Sequence, residues 1–429
     1  MNALRKANDV SRAGDARSGL KRALSDAREL WRGIPTPLRR WIIPLGVFLL
    51  ALFFPFYRTG LTDIPSLGRY VPDVESLIVM VIFTMMAVGL NVVVGYAGLL
   101  DLGYVAFYAI GAYTVAVFAS TQFGGSNENP RTVRFGAIAP ESLPGFHISI
   151  WLLLLIAAIT TAVLGVLIGL PTLRLRGDYL AIVTLGFGEI LPQVARNGDD
   201  LLGTGFNLTG GSSGITPVDP PGFGESINNV LPFLPENFRT AENSARLFYW
   251  SALALLILTI FCCLRLRDSR LGRAWVAIRE DETAAAAMGI PLMRTKTWAY
   301  AVGAFFGGLA GGFFASFKSS AFDTDFFFQI SVFILCMVIL GGMGNIWGVI
   351  VGALFLSYLD RFGLNTLGSH VNETFGTTLD IPKYTFLIFG VILLVTMLTR
   401  PQGLFPEARH KAEIEQGVQD EPLYDTQQS

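Results

Sequence analysis

Charge is what this chain has least of. Only 15% of its 429 residues are Asp, Glu, Lys or Arg, where soluble domains carry roughly 25%. Lys and Arg number 32 against 33 Asp and Glu, a net charge of −1, so nothing in the balance points to nucleic acid. Cysteine is equally scarce. Cys262, Cys263 and Cys336 all lie inside apolar runs and read as small buried side chains with no disulfide or metal role. The three histidines, His147, His370 and His410, are too far apart for ligand spacing. Residues 1–40 contain no apolar h-region, so no cleavable signal peptide is expected. Nucleotide motifs are missing too. In 312–319, Phe317 stands where a phosphate loop needs glycine before Lys318, and 203–214 is glycine-rich but has no lysine.

Apolar sequence is abundant instead. The chain is 52% hydrophobic with a mean hydropathy of +0.51. Apolar runs cover 41–57, 77–94, 103–119, 148–170, 179–195, 247–264, 298–317, 329–341, 345–359 and 384–398, most of them near the ~20 residues that a bilayer crossing needs. They predict an all-α polytopic membrane protein with about ten transmembrane helices, some short. Either 77–119 or 329–359 has room for a broken or re-entrant helix.

Three divisions follow. Residues 1–40 form a basic segment with ten Lys/Arg against four Asp/Glu. Leu20, Ala23, Leu24, Ala27 and Trp31 fall at helical spacing among basic residues there, which fits either an amphipathic surface helix or a frayed tail. Residues 41–400 form the membrane domain, and 401–429 an acidic tail with the composition of disorder. With the N-terminus inside, the inside segments hold 22 of the 32 Lys/Arg. The positive-inside rule then puts both termini in the cytoplasm. The long outside loops, 120–147 and 196–246, are rich in Gly, Pro, Asn and Ser and are suited to small caps or an external partner.

One stretch breaks the apolar pattern. Residues 265–297 form a polar island on the cytoplasmic side of this topology. Strong helix formers fill 271–288, with Asp268 or Ser269 as N-cap and Gly289 and Pro291 as the stop. Composition alone fits an ordinary solvated helix as well as a docking element. Ala284, Ala285, Ala286 and Ala287 give a surface that another helix can approach closely.

Within the apolar runs, glycine and a few polar groups stand out. Residues 89–103 are glycine-rich, and Gly341, Gly342, Gly344, Gly348 and Gly352 repeat that chemistry. Small residues let helices pack backbone to backbone, and they break helices where transporters expose carbonyls. The ionisable residues in or beside the spans are Asp101, Asp178 and Glu189. Charge in lipid costs ~3 kcal/mol or more, which makes such groups functional candidates. Asp178 follows Arg174 and Arg176 and reads as an interfacial partner or cap, and Asp101 falls at a turn. Glu189 lies deeper, either facing a solute path or pairing with Arg196.

Five segments together carry a resemblance: GLNVVVGYAGLLDLGYVAFYAIGAY (89–113), RLRGDYLAIVTLGFGEI (174–190), LTGGSSGI (208–215), AIREDETAAAAMGI (277–290) and ILGGMGNIWGVIVGA (339–353). In this order they resemble the permeases of branched-chain amino-acid ABC importers, LivM type, over residues 75–400. The resemblance implies a subunit of an inner-membrane importer with no enzymatic activity of its own. It implies a homologous second permease (LivH type), two ATPase subunits (LivG and LivF type) that bind the ATP and Mg, and a periplasmic binding protein delivering Leu, Ile or Val. No cofactor is expected in this chain. A cytoplasmic coupling helix would contact the ATPase through Arg279, Glu280, Asp281, Glu282, Ala285, Ala286 and Gly289. The substrate path would draw on Asn91, Gly95, Gly98, Thr184, Glu189 and Asn345. A urea or short-amide permease of the wider family remains open. A gradient-driven transporter would show more buried acids, and a membrane enzyme would need a His, Cys or paired-carboxylate constellation, which is absent.

Overall fold

The structure, a computed structural model, describes residues 36–62, 70–126, 129–130, 132–135, 144–175, 177–200, 207–221, 241–375, 380–400 and 403–405. The amphipathic pattern before residue 36 and the acidic tail from 406 onward lie outside the described residues. The chain forms two units, 1–68 and 69–429. The first contributes helix α1 (Thr36–Thr62).

The second unit is a helical bundle. Its helices are α2 (Val74–Asn91), α3 (Tyr104–Phe118), α4 (Ile150–Thr172), α5 (Asp178–Arg196), α6 (Ala241–Arg267), α7 (Arg270–Glu280), α8 (Glu282–Ala287), α9 (Leu292–Lys318), α10 (Phe328–Gly341), α11 (Ile346–Tyr358), α12 (Leu364–Phe375) and α13 (Thr385–Thr399). Every apolar run read from the sequence falls on a helix. Seven described helical segments are long and apolar enough to cross a membrane: Val74–Tyr96, Ile150–Thr172, Ala245–Arg267, Leu292–Lys318, Asp323–Gly341, Ile346–Glu373 and Ile381–Thr399. The other three apolar runs also lie on helices. The apolar stretch Leu49–Arg58 of α1 and helix α3 are shorter, and α5 carries Asp178, Glu189, Gln193 and Arg196 along its length. The protein is a multi-pass membrane protein, all-α apart from small outer strands.

Helix α2 occupies the centre. Every residue from Ile78 to Asn91 is buried, and α6, α9, α10 and α11 pack around it. On one side α9 lies along α3 and α4. Lipid supplies no hydrophobic drive between helices, so close approach must hold them. Glycine provides it at one crossing. A Cβ on Gly111 would overlap the Gly308 carbonyl, and one on Gly308 would overlap the Thr161 hydroxyl.

Helix breaks fall where the glycine-rich segments predict them. Helix α2 widens into a π-turn, Val92–Tyr96, before the loop 97–103 leads into α3. Helices α10 and α11 are separated by 342–345, where Gly342 and Gly344 take positive φ of 110° and 89°. Helix α11 continues through a second π-turn, Leu359–Gly363, into α12.

The connecting segments sort into two ends. At one end β1 (Ala119–Ser120), β5 (Gly145–Ile148) and β4 (Thr132–Phe135) form a sheet in the order β1-β5-β4, and β2 (Gly125–Ser126) pairs with β3 (Asn129–Pro130). Ser120 bridges to Val218, and Ile215 to Ala321. His147 Nδ1 lies 2.7 Å from Asp219 Oδ2, and Arg196 donates to Asp323 across 2.7 Å. At the opposite end the loop 97–103, helix α7, the turn 342–345 and residues 403–405 meet.

Candidate functional site at the α7–α8 junction

Helices α7 and α8 form because each has a strong local start. The Ser269 hydroxyl accepts from the Gly272 amide, beginning α7. Asp281 Oδ1 accepts from the Thr283 and Ala284 amides at 2.7 and 3.0 Å, ending α7 and beginning α8. Those hydrogen bonds, from Ala284 and Thr283, hold the exposed Asp281 carboxyl below its ordinary pKa. Gly289, with φ of +82°, closes α8.

Helix α7 buries Gly272, Trp275 and Ile278. The Trp275 indole N–H donates to the Thr295 carbonyl at 2.8 Å, fixing α7 to the foot of α9. Lys296, almost fully buried, reaches Glu282 Oε1 at 2.8 Å. Two of the expected coupling residues therefore act first within the chain. Glu282 pairs with Lys296, and Ala285 is buried against its own bundle. The face α8 presents outward is Thr283, Ala284, Ala286, Ala287 and Met288, and Met288 is 83% exposed. Glu280 is exposed beside Arg279, 3.3 Å away.

Arg279 turns back toward the membrane domain. Its guanidinium donates to the Gly95 carbonyl in the π-turn, and its side chain lies over Gly98, where a Cβ would come within 2.7 Å of Arg279 Cγ. Gly98 has φ of +67°, so position 98 favours glycine twice over. One turn back, Asn91 Oδ1 accepts from the Gly344 amide at 2.9 Å. A Cβ on Gly95 would overlap Asn91 Oδ1 and come within 2.6 Å of Gly344 N. The two glycine-rich segments and the polar island, separated by up to 253 positions, are thus in contact. Asn91 Nδ2 is buried without a hydrogen-bond partner.

The other path candidates separate from this cluster in role. Asn345 caps α11 through the Trp347 amide and ties its Nδ2 to the Phe405 carbonyl at 3.0 Å. Thr184 Oγ1 accepts from the Leu102 amide at 3.1 Å and donates to the Ala181 carbonyl. Asn345 thus ties the start of α11 to residues 403–405, and Thr184 ties α5 to the loop 97–103. Glu189 is exposed on α5. It does not pair with Arg196, which Asp323 engages instead. Sequence reading missed Lys296 and Gly344 as partners, because hydrogen bonds between such distant positions leave no local signal.

Asp101 stands in the loop 97–103, outside the neighbouring spans. Its side chain is fully buried, and Oδ1 accepts from the Gly103 amide at 2.8 Å. Oδ2 has no hydrogen-bond partner among the described residues, and the Tyr300 hydroxyl lies near the carboxyl. Burial pushes this carboxyl up to about 6, with the Gly103 amide and Tyr300 hydroxyl offsetting part of the rise. An unfolded aspartate ionises near ~3.9. Because the folded value is the higher one, ionisation disfavours the fold. The cost is absent below pH ~4, grows between ~4 and ~6, and is complete above, at about 3 kcal/mol. Asp101→Asn keeps the Oδ1 acceptor and removes this cost. Its thermal midpoint in detergent should exceed the parent's at pH 7.5 and match it at pH 4. An equal offset at both pH values would contradict the buried-charge explanation.

The family described as "Branched-chain amino acid transport system / permease component" matches residues 74–397. The high-affinity branched-chain amino acid transport system permease protein LivM of Escherichia coli K12 is 33% identical over 384 residues, 87% of this chain and 77% of that protein. A probable LivM of Methanocaldococcus jannaschii is 26% identical over 76% of this chain and 91% of its own length. The E. coli LivH permease is 28% identical over 170 residues, 39% of this chain and 51% of that protein. No solved structure matches. A match across the whole membrane domain, taken with the helical bundle, means that the chain belongs to the branched-chain amino acid transport permeases, LivM type.

Proposed function

We propose that this chain is one of two permease subunits of an ATP-driven importer in the bacterial cytoplasmic membrane, carrying leucine, isoleucine and valine. Its similarity to both LivM and LivH supports a homologous second permease as the other half of the path. A periplasmic binding protein delivers the solute at the end bearing the small sheet. Two ATPase subunits, of LivG and LivF type, bind ATP and Mg at the opposite end, so both termini are cytoplasmic. In this reading α7 and α8 are the coupling element. The outward face of α8 enters a cleft of the ATPase, with Met288 as a flexible apolar anchor among small side chains.

One observation carries the reading. Arg279 connects the exposed α7–α8 element directly to the π-turn that ends the central helix. A displacement of α7 by the ATPase is delivered to α2, and through Asn91 to the turn between α10 and α11. A photo-crosslinking amino acid at Met288, in the importer expressed with its neighbouring genes, should capture a nucleotide-binding subunit. The same residue at the exposed Leu387 of α13 should not. Capture of no ATPase at Met288 would remove the docking assignment.

A further inference from the structure

Helix α5 differs from the other helices that face outward. Its buried face, Leu180, Ala181, Thr184, Gly188, Pro192 and Ala195, packs toward α3, α4 and α10. The opposite face is exposed along the whole helix through Asp178, Ile182, Leu185, Glu189 and Gln193, with Tyr179, Ile190 and Val194 exposed beside them. At a rise of 1.5 Å per residue, Glu189 stands roughly 16 Å from Asp178, past the middle of the helix. Among the described residues it has no hydrogen-bond or ion-pair partner. Nothing lies within 4 Å of where a Cβ of the neighbouring Gly186 would stand, so space is open beside it.

Two other helices show what a lipid-facing surface looks like in this protein. Helix α4 exposes Trp151, Leu155, Ile159, Val163 and Leu167, all apolar. The exposed side chains in the middle of α13, including Leu387, Val391 and Leu394, are apolar as well. A carboxylate halfway along a lipid-facing helix would be expelled or paired, and Glu189 is neither. A mostly apolar strip with a carboxylate at its start, Asp178, a second along its length, Glu189, and one amide suits a zwitterion with an apolar side chain. The Glu189 carboxylate complements its ammonium group, and Ile182 and Leu185 complement its branched chain.

From this geometry we infer that the outward face of α5 is a water-lined wall of the solute path, with Glu189 receiving the ammonium group of the amino acid. The inference rests on the transport reading above. Coverage of the same face by lipid or by the second permease is the competing outcome.

The test uses the assembled importer in proteoliposomes, with Cys262, Cys263 and Cys336 replaced by alanine. Single cysteines are introduced as Ile182→Cys, Leu185→Cys and Gln193→Cys on α5, and as Ile159→Cys and Val163→Cys on α4. Hydrophilic cationic and anionic methanethiosulfonate reagents are then compared. The α5 positions should react at least tenfold faster than the α4 positions, and binding protein with leucine should slow them. At position 193 the cationic reagent should be favoured severalfold over the anionic one. Glu189→Gln should abolish that preference without lowering the reactivity itself. Reaction at α5 no faster than at α4 overturns the proposal, and capture of the second permease by a photo-crosslinking amino acid at position 182 would identify a subunit seam instead. Reactivity is read without transport. Loss of the transport reading, seen as no leucine uptake by the unsubstituted importer, is therefore distinguishable from failure at α5.

Discussion

Replacing Arg279 with alanine is expected to leave an importer that assembles and hydrolyses ATP but moves little solute. The docking face of α8 is untouched, because Thr283, Ala284, Ala286, Ala287 and Met288 are exposed while Arg279 contacts Gly95 and Gly98. The internal link is lost. The Gly95 carbonyl loses a charged donor, worth ~1.5–3 kcal/mol for a hydrogen bond of this kind, and Gly98 loses the side chain that covers it. A tenfold effect needs only ~1.4 kcal/mol of lost coupling, so uptake should fall at least tenfold per ATP hydrolysed. Arg279→Lys keeps the charge but not the fork that donates at that angle, and should recover part of the coupling. A variant that lost ATP hydrolysis and uptake in equal proportion would make Arg279 a docking residue and not a link.

Glu282→Lys should be the most damaging single change in the polar island, for a reason inside the chain. Lys296 has 5% of its side chain exposed and Glu282 31%. Reversal leaves two cations facing each other beneath α8. Breaking a buried pair costs ~3–5 kcal/mol, and the partial exposure of Glu282 places this case toward the lower end. Helix α8 has only six residues and cannot hold its position alone. Less assembled importer and a lower thermal midpoint are expected. Adding Lys296→Glu to Glu282→Lys should restore both. If Glu282 acted by touching the ATPase, the double exchange would not rescue assembly.

The polar island and the two glycine-rich segments were legible as separate features. Their contact was not, because each hydrogen bond joins positions whose local sequence is satisfied without the other. Asn91 reads the same in 89–103 whether or not Gly344 lies against it. The helix spans were legible because apolar length is a property of the run itself. A break within 77–119 was legible as one option, beside one in 329–359, because glycines such as Gly95 and Gly98 weaken a helix. Asn345 and Thr184 stood out because they are polar within apolar surroundings, but their hydrogen bonds, Asn345 to the Trp347 amide and Thr184 to the Leu102 amide, were not legible in the sequence. Glu189 could not be resolved from sequence, since pairing with Arg196 fits helical spacing. Only the fold shows that Asp323, 127 positions away, takes that arginine.

The most direct measurement is leucine taken up per ATP hydrolysed in proteoliposomes, comparing the unsubstituted importer with the Arg279→Ala importer at equal subunit content. A ratio that falls at least tenfold while hydrolysis stays within a factor of two is the expected result, and it places the Arg279–Gly95 contact between ATPase and path. An unchanged ratio would mean that motion enters the membrane domain elsewhere, and that the junction of α7 with the π-turn is only a brace.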